Sequence, residues 1–123
     1  MSEANARRLL KRVPGLYVVR HEDKVSSGHA DCSYVVKHDG RSGFIELKYG
    51  AWPHDVLGYG LTPTQAAFLV AWAMHGGRSR VLHVYGRGQC VMFDRDFPTL
   101  VTCALRVRPC YVGHVAPAML PFL

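Results

Sequence analysis

A turn constrains this chain more than any other stretch of it. Lys37-His38-Asp39-Gly40-Arg41-Ser42-Gly43 separates two short strand-like runs, Cys32 to Val36 and Phe44 to Lys48. Glycine and aspartate tolerate the backbone angles of a reversal, while the flanking β-branched and aromatic residues favour extended chain, so the stretch specifies a β-hairpin. The hairpin then sets the faces. Side chains alternate along a strand. Phe44, Glu46 and Lys48 therefore share one face, and Ile45, Leu47 and Tyr49 share the other and are expected to supply core.

Asp31 enters at the start of the first strand and so stands beside the Glu46-Leu47-Lys48 segment of the second. Two carboxylates and a lysine at one end of a hairpin suit a hard divalent cation and a phosphate. Glu-x-Lys on a half-exposed strand has a plain reading too, as the solvated face of an antiparallel sheet. Asp31, placed directly after the loop that holds Gly28, is what brings the chemical reading level with the plain one.

The flanking segments supply helices and more strands. Residues 2 to 13 read as a helix, with Ser2 as N-cap, Pro14-Gly15 as the stop, and Ala6, Leu9, Leu10 and Val13 as its apolar stripe. Glu3 projects from near that stripe. It is either a further metal-site acid or an acid favoured by the positive end of the helix dipole. Glu22, in the polar loop from His21 to Ser27, is its rival. Arg7, Arg8, Lys11 and Arg12 fall on the outer side, where they can track phosphates or simply form a solvated face. Leu16 to Arg20 is a short strand. His29 is a candidate phosphate or water contact, although a lone loop histidine is more often incidental.

The clearest helix runs from Thr62 to Met74. Thr62, Pro63 and Gln65 make a Thr-x-x-Gln capping box with proline in the first turn, and His75-Gly76-Gly77 ends it. That helix is apolar almost all round, so the sheet, the C-terminal tail or a second subunit must cover it. The glycine-bounded loop from Gly50 to Gly60, with Trp52, His54 and Tyr59, follows the Glu-x-Lys strand and is expected beside the site. Val81 to Tyr85 and Cys90 to Phe93 flank a second turn, Gly86-Arg87-Gly88-Gln89. Arg87 at its tip is a candidate phosphate contact. Beyond it, residues 98 to 105 suggest a short helix and 106 to 112 an extended segment. The uncharged ending from Val115 to Leu123 is expected to dock on this chain or a partner.

Composition narrows the function classes. The chain has 123 residues, which predicts a single domain. Its apolar content of 49% and charged content of 20% exclude a disordered chain. A formal net charge of +6 favours a polyanionic partner such as nucleic acid. The four cysteines show no C-x-x-C spacing, and Cys32 and Cys90 sit in apolar runs, so buried thiols of a reducing compartment are expected rather than disulfides or zinc ligands. No apolar run reaches the length of a membrane span, and a cytoplasmic location is expected.

Gly28-x-x-Asp31, a strand and turn, and then Ile45-Glu46-Leu47-Lys48 resemble the core of the PD-(D/E)xK nuclease superfamily. That superfamily includes restriction endonucleases, junction resolvases and VRR-NUC domains. A first helix opened by Ser2-Glu3, and a later one opened by Leu61-Thr62-Pro63-Thr64-Gln65, make the order similar to small phage VRR-NUC-like and Holliday-junction-resolvase-like proteins. The likeness covers about residues 1 to 93 and leaves 94 to 123 as a C-terminal extension. Ala30 stands where the superfamily's name has proline.

The resemblance implies an α/β, restriction-endonuclease-like sandwich, a mixed central sheet flanked by helices. It implies a metal-dependent DNA endonuclease, with Asp31, Glu46, Glu3 and the Leu47 backbone carbonyl holding Mg2+ or Mn2+, Lys48 completing the catalytic set and Gln65 lying near it. Branched DNA such as a four-way junction is the expected substrate, and a homodimer, with the C-terminal extension as a candidate dimer-forming element, the expected assembly. Phage or prophage origin is implied in the same way. Alternatives are a nonspecific or nicking nuclease, a non-catalytic nucleic-acid-binding accessory protein of the same fold, and, against the scattered spacing of its histidines and cysteines, a zinc protein.

Overall fold

The computed structural model describes residues 2–21, 30–50, 61–94 and 108–123. Helix α1 spans Glu3–Lys11, strand β1 Leu16–Arg20, β2 Cys32–Val36, β3 Ser42–Tyr49, helix α2 Pro63–Met74, β4 Ser79–Tyr85, β5 Gln89–Phe93, β6 Tyr111–His114, and a 3-10 helix Pro117–Phe122. The strands form one sheet in the order β1-β2-β3-β4-β5-β6. The β3–β4 pair is parallel, with Lys48 beside His83, and the other pairings are antiparallel. A parallel pair needs a crossover connection, and the segment that carries α2 supplies it. The architecture is therefore α/β with a mixed, mostly antiparallel sheet.

Alternation along the strands sends apolar side chains to both faces. On one face Ala6 and Leu10 of α1 pack with Ile45, Leu47, Leu82 and Val84, joined by Met119 and Leu123 from the C-terminal segment. On the other, Leu69 of α2 packs with Val81, Val91 and Phe93, joined by Ala30 and Leu61. Glu46 and Lys48 belong to this second face, because they alternate with Ile45 and Leu47.

The local signals hold well. Ser2 caps α1 by accepting from the Asn5 N–H at 3.1 Å. The helix ends at Lys11, two residues short of the expected Val13, yet Val13 stays buried against the first core. Thr62 and Gln65 form both halves of the capping box. Cys32 and Cys90 are buried free thiols, each pushed up by burial, to about 11 and about 12.

Two expectations about faces fail. Tyr49, expected in the core, is 45% exposed, because it is the last residue of β3. The plain alternative, Glu-x-Lys as a solvated face, fails as well: Glu46 is 2% exposed, and Gln65 of α2 donates to its carboxylate at 2.9 Å. Cover of α2 itself is one-sided. Leu69 is its one buried residue, and Val70, Trp72 and Met74 are exposed.

The C-terminal segment docks on this chain. β6 adds to the edge of the sheet, and the 3-10 helix returns to the first core with Met119 and Leu123 fully buried. Arg41 donates to the main-chain oxygens of Leu120, Pro121 and Leu123, and Arg80 donates to that of Phe122 at 2.7 Å. The helix expected over 98 to 105, Glu22, His29 and the loop with Trp52 lie outside the described residues. Among the described residues no helix is long and apolar enough to cross a membrane.

Candidate active site

The hairpin register brings the acids together. Cys32 of β2 pairs with Ile45 of β3, so Asp31, one residue earlier, arrives beside Glu46. The Leu47 N–H donates to Asp31 Oδ2 at 3.0 Å, and the Asp31 N–H donates to Glu46 Oε2 at 3.3 Å. Each of these main-chain bonds fastens a carboxylate carried by the neighbouring strand segment.

Helix α2 closes the group from above. Gln65 Nε2 donates to Glu46 Oε1 at 2.9 Å, and Gln65 Oε1 accepts from Lys48 Nζ at 3.1 Å. The same Oε1 accepts the Thr62 N–H at 3.0 Å, which is one half of the capping box. Gln65 therefore caps the start of α2 and bridges the two charged residues of the Glu-x-Lys segment with one amide, whose orientation its three bonds fix. Lys48 Nζ lies 3.8 Å from Glu46 Oε1, a loose ion pair rather than a tight one.

Burial and the neighbouring charge of Asp31 push the Glu46 carboxyl far above the usual carboxylate range, from 4.5 to about 8, against the opposing pull of Lys48. A carboxyl in this position holds a proton at neutral pH unless another positive charge takes the proton's place. With Glu46 buried and Asp31 partly buried beside it, the pair has the electrostatics of a cation site. Its oxygens, with the backbone oxygens beside them, are the hard donors that Mg2+ or Mn2+ prefers.

The sequence singles out Asp31, Glu46, Lys48 and Gln65, and the fold gathers all four. Glu3 is half-exposed and pairs with Arg7 one helical turn on, at 3.5 Å. Among the described residues no three His, Cys, Asp or Glu side chains come close enough to hold a metal together. Arg7 nonetheless lies near enough to Cys32, next to Asp31, to draw its thiol down against the effect of burial. Arg8, Arg12 and Arg87 gather elsewhere, between α1 and the β4–β5 turn.

One neighbour was not singled out by sequence reasoning. His83 is fully buried on β4, in register with Lys48, and its Nε2–H donates to the Gly50 carbonyl at 3.1 Å. Burial, with the charge of Lys48 adding to it, draws its pKa down, so the ring stays neutral. It fixes the end of β3 just past Lys48. A polar residue inside the apolar run Val81 to Tyr85 was the available signal.

No protein-family model, curated protein or solved structure matches this chain.

Proposed function

We propose that the chain is a metal-dependent DNA endonuclease that hydrolyses phosphodiester bonds, with Asp31, Glu46, Lys48 and Gln65 as its site. The observation that carries this reading is the Asp31–Glu46 pair, with Glu46 buried and held beside Lys48 by a single glutamine. Burying a carboxyl group next to a second one costs stability unless a positive charge compensates them. In a chain of net charge +6, that arrangement is better suited to reacting with a polyanion than to holding a fold together. The order of helices and strands, with a mixed sheet between α1 and α2, is also what a restriction-endonuclease-like sandwich would require.

Asp31, Glu46 and the Leu47 carbonyl would hold Mg2+ or Mn2+. When bound, such an ion lowers the pKa of a coordinated water and polarises a phosphoryl oxygen. Lys48 places its ammonium beside the acids, where negative charge develops on the phosphate, and stabilises it there. Gln65 holds Lys48 and Glu46 in one geometry, so neither must reorganise during reaction. Glu3 belongs to the proposal as a further acid from the first helix, reached by breaking its exposed pair with Arg7.

Branched DNA is the proposed substrate. The exposed Val70, Trp72 and Met74 of α2 offer a surface for a homodimer, and paired sites about a two-fold axis match the symmetry of a four-way junction. The test is cleavage of a labelled four-way junction, a linear duplex and a single strand, with Mg2+, Mn2+ or EDTA. Glu46→Ala and Lys48→Ala are run beside the parent. Paired cuts in the junction alone, lost with EDTA and in both variants, are expected. Cutting of every substrate would keep the site and remove the junction preference. Tight binding without cutting in any metal would replace the nuclease with a nucleic-acid-binding protein.

A further inference from the structure

Away from the carboxylates, Arg8 and Arg12 of α1 and Arg87 of the β4–β5 turn line one groove of about 300 Å³, together with Asn5 and Leu9. Its walls contain no carboxylate. Arg8 is braced by Asn5 Oδ1 at 2.9 Å, and among the described residues no acid pairs with any of the three guanidinium groups. Like charges crowded in one concavity repel one another and raise its potential, which favours an anion that brings them together.

The groove is built rather than incidental. Gly86 and Gly88 take positive φ, 57° and 99°, which makes the turn tight. Arg87 N–H donates to Gln89 Oε1 at 2.6 Å, and Gly88 accepts from the Val115 N–H at 2.9 Å. Gly88 also lies against Leu9 of α1, close enough that an added Cβ would meet Leu9 Cδ1 at 3.9 Å. The turn is thus hydrogen-bonded to Val115, just past β6, and lies beside α1, so that Arg87 lines the groove together with Arg8 and Arg12 of the helix. The turn follows directly on Tyr85, and β4 runs parallel to β3 with His83 beside Lys48. The groove therefore flanks the same end of the sheet as the proposed site, while α1 packs on the opposite face from α2.

We infer that this groove binds the phosphate backbone of a nucleic acid several nucleotides away from the bond being cut. Guanidinium groups suit this task, since their planar forks match phosphate oxygens two at a time. The inference rests on the nuclease reading and deepens it. A site with a second phosphate cradle takes a polynucleotide, not a nucleotide or a small phosphoester.

The test is equilibrium binding of the full chain to a labelled four-way junction and a duplex, by fluorescence anisotropy in EDTA across a salt series. The parent is compared with Arg8→Ala/Arg12→Ala/Arg87→Ala, with the single reversal Arg87→Glu on the exposed turn, and with Lys37→Ala/Arg108→Ala as a control for general charge. Thermal melts establish that each variant folds. The triple variant should lose about tenfold or more in affinity at 0.1 M salt, and its slope of log K against log salt should shrink by roughly 2–3, as expected for about three lost phosphate contacts. Arg87→Glu should move in the same direction, and the control should keep the parent's slope. An unchanged slope in both arginine variants, or an equal loss in the control, overturns the inference. Metal-dependent cleavage is scored separately. Cutting by the parent with unchanged binding by the variants removes the groove and leaves the nuclease. Arginine-dependent binding without cutting in any metal removes the nuclease and leaves the groove.

Discussion

Glu46 is a carboxyl group held in surroundings far from water. Its carboxyl is ordinary at 4.5 and is raised to about 8 here, by burial first and by Asp31 second. Between those values the unfolded chain releases the proton and the folded chain keeps it. The metal-free protein should therefore lose stability as pH rises from about 4.5 to about 8, and level off above. Glu46→Gln carries no charge and should remove that loss, so its melting temperature should exceed the parent's at pH 8 and approach it near pH 5. Millimolar Mg2+ should raise the parent's melting temperature more at pH 8 than at pH 5, and leave the variant little changed. Parallel melting profiles for parent and variant across this range would refute the account. Gln65 gives a kinetic prediction. Gln65→Ala frees Lys48 and Glu46 together and should lower kcat by roughly tenfold to a hundredfold on the proposed substrate, the scale of a misplaced catalytic group. A loss confined to KM would refute the positioning role. At this scale much of the site was legible. Alternation put Glu46 and Lys48 on one face, and the hairpin put Asp31 next to them. What alternation cannot give is how far a helix reaches, so the closing of α2 over Glu46 and the place of His83 beside Lys48 emerge only in three dimensions.

At the scale of elements, the crossover from β3 through α2 to β4 depends on two glycines for different reasons. A Cβ at Gly43 would collide with the Arg78 carbonyl oxygen and approach Arg78 Cβ to 2.7 Å, and that same oxygen accepts the Phe44 N–H at 3.0 Å. The obstruction is backbone, where the start of β3 meets Arg78 just before β4. Gly43→Ala should cost roughly 1–3 kcal/mol, the range for overpacking, and should shift the chemical denaturation midpoint accordingly. A Cβ at Gly77 would meet the Trp72 indole, a side chain that is 43% exposed and can swing. Gly77→Ala should therefore cost less than Gly43→Ala, while changing Trp72 fluorescence through its edge-on contact with Phe44 at 4.7 Å. Equal costs at the two positions would contradict this. Capping chemistry made α2 readable almost to the residue, because Thr62, Pro63 and Gln65 act within one turn. The close approach at Gly43 was not readable, since its partner stands 35 residues along the chain and no local pattern marks it.

Over the whole molecule, the least legible feature is the one that joins the two ends of the fold. The turn between β2 and β3 carries Arg41, and Arg41 reaches across 79 to 82 residues to the main-chain oxygens of Leu120, Pro121 and Leu123. Asp39 orients it through a 2.6 Å contact with Nε, and the Arg41 backbone N–H first, then this contact, hold the Asp39 carboxyl below its usual range. Composition could say that an uncharged tail must dock, but it could not say on what, because backbone carbonyls recruit an arginine without any sequence of their own. The consequence is specific to the shape of the side chain. Three oxygens are held by one planar fork, whereas lysine presents a single ammonium on a flexible stem. Arg41→Lys should therefore destabilise the chain nearly as much as Arg41→Ala, by roughly 2–4 kcal/mol for charge-assisted bonds lost from a partly buried setting. Both changes should raise hydrogen exchange in β6 and the 3-10 helix before they affect β2 or β3, since Met119 and Leu123 would lose their anchor while the hairpin keeps its ladder. If Arg41→Lys melts like the parent, charge alone holds the tail, and the fork is not what fastens the C-terminal segment to the sheet.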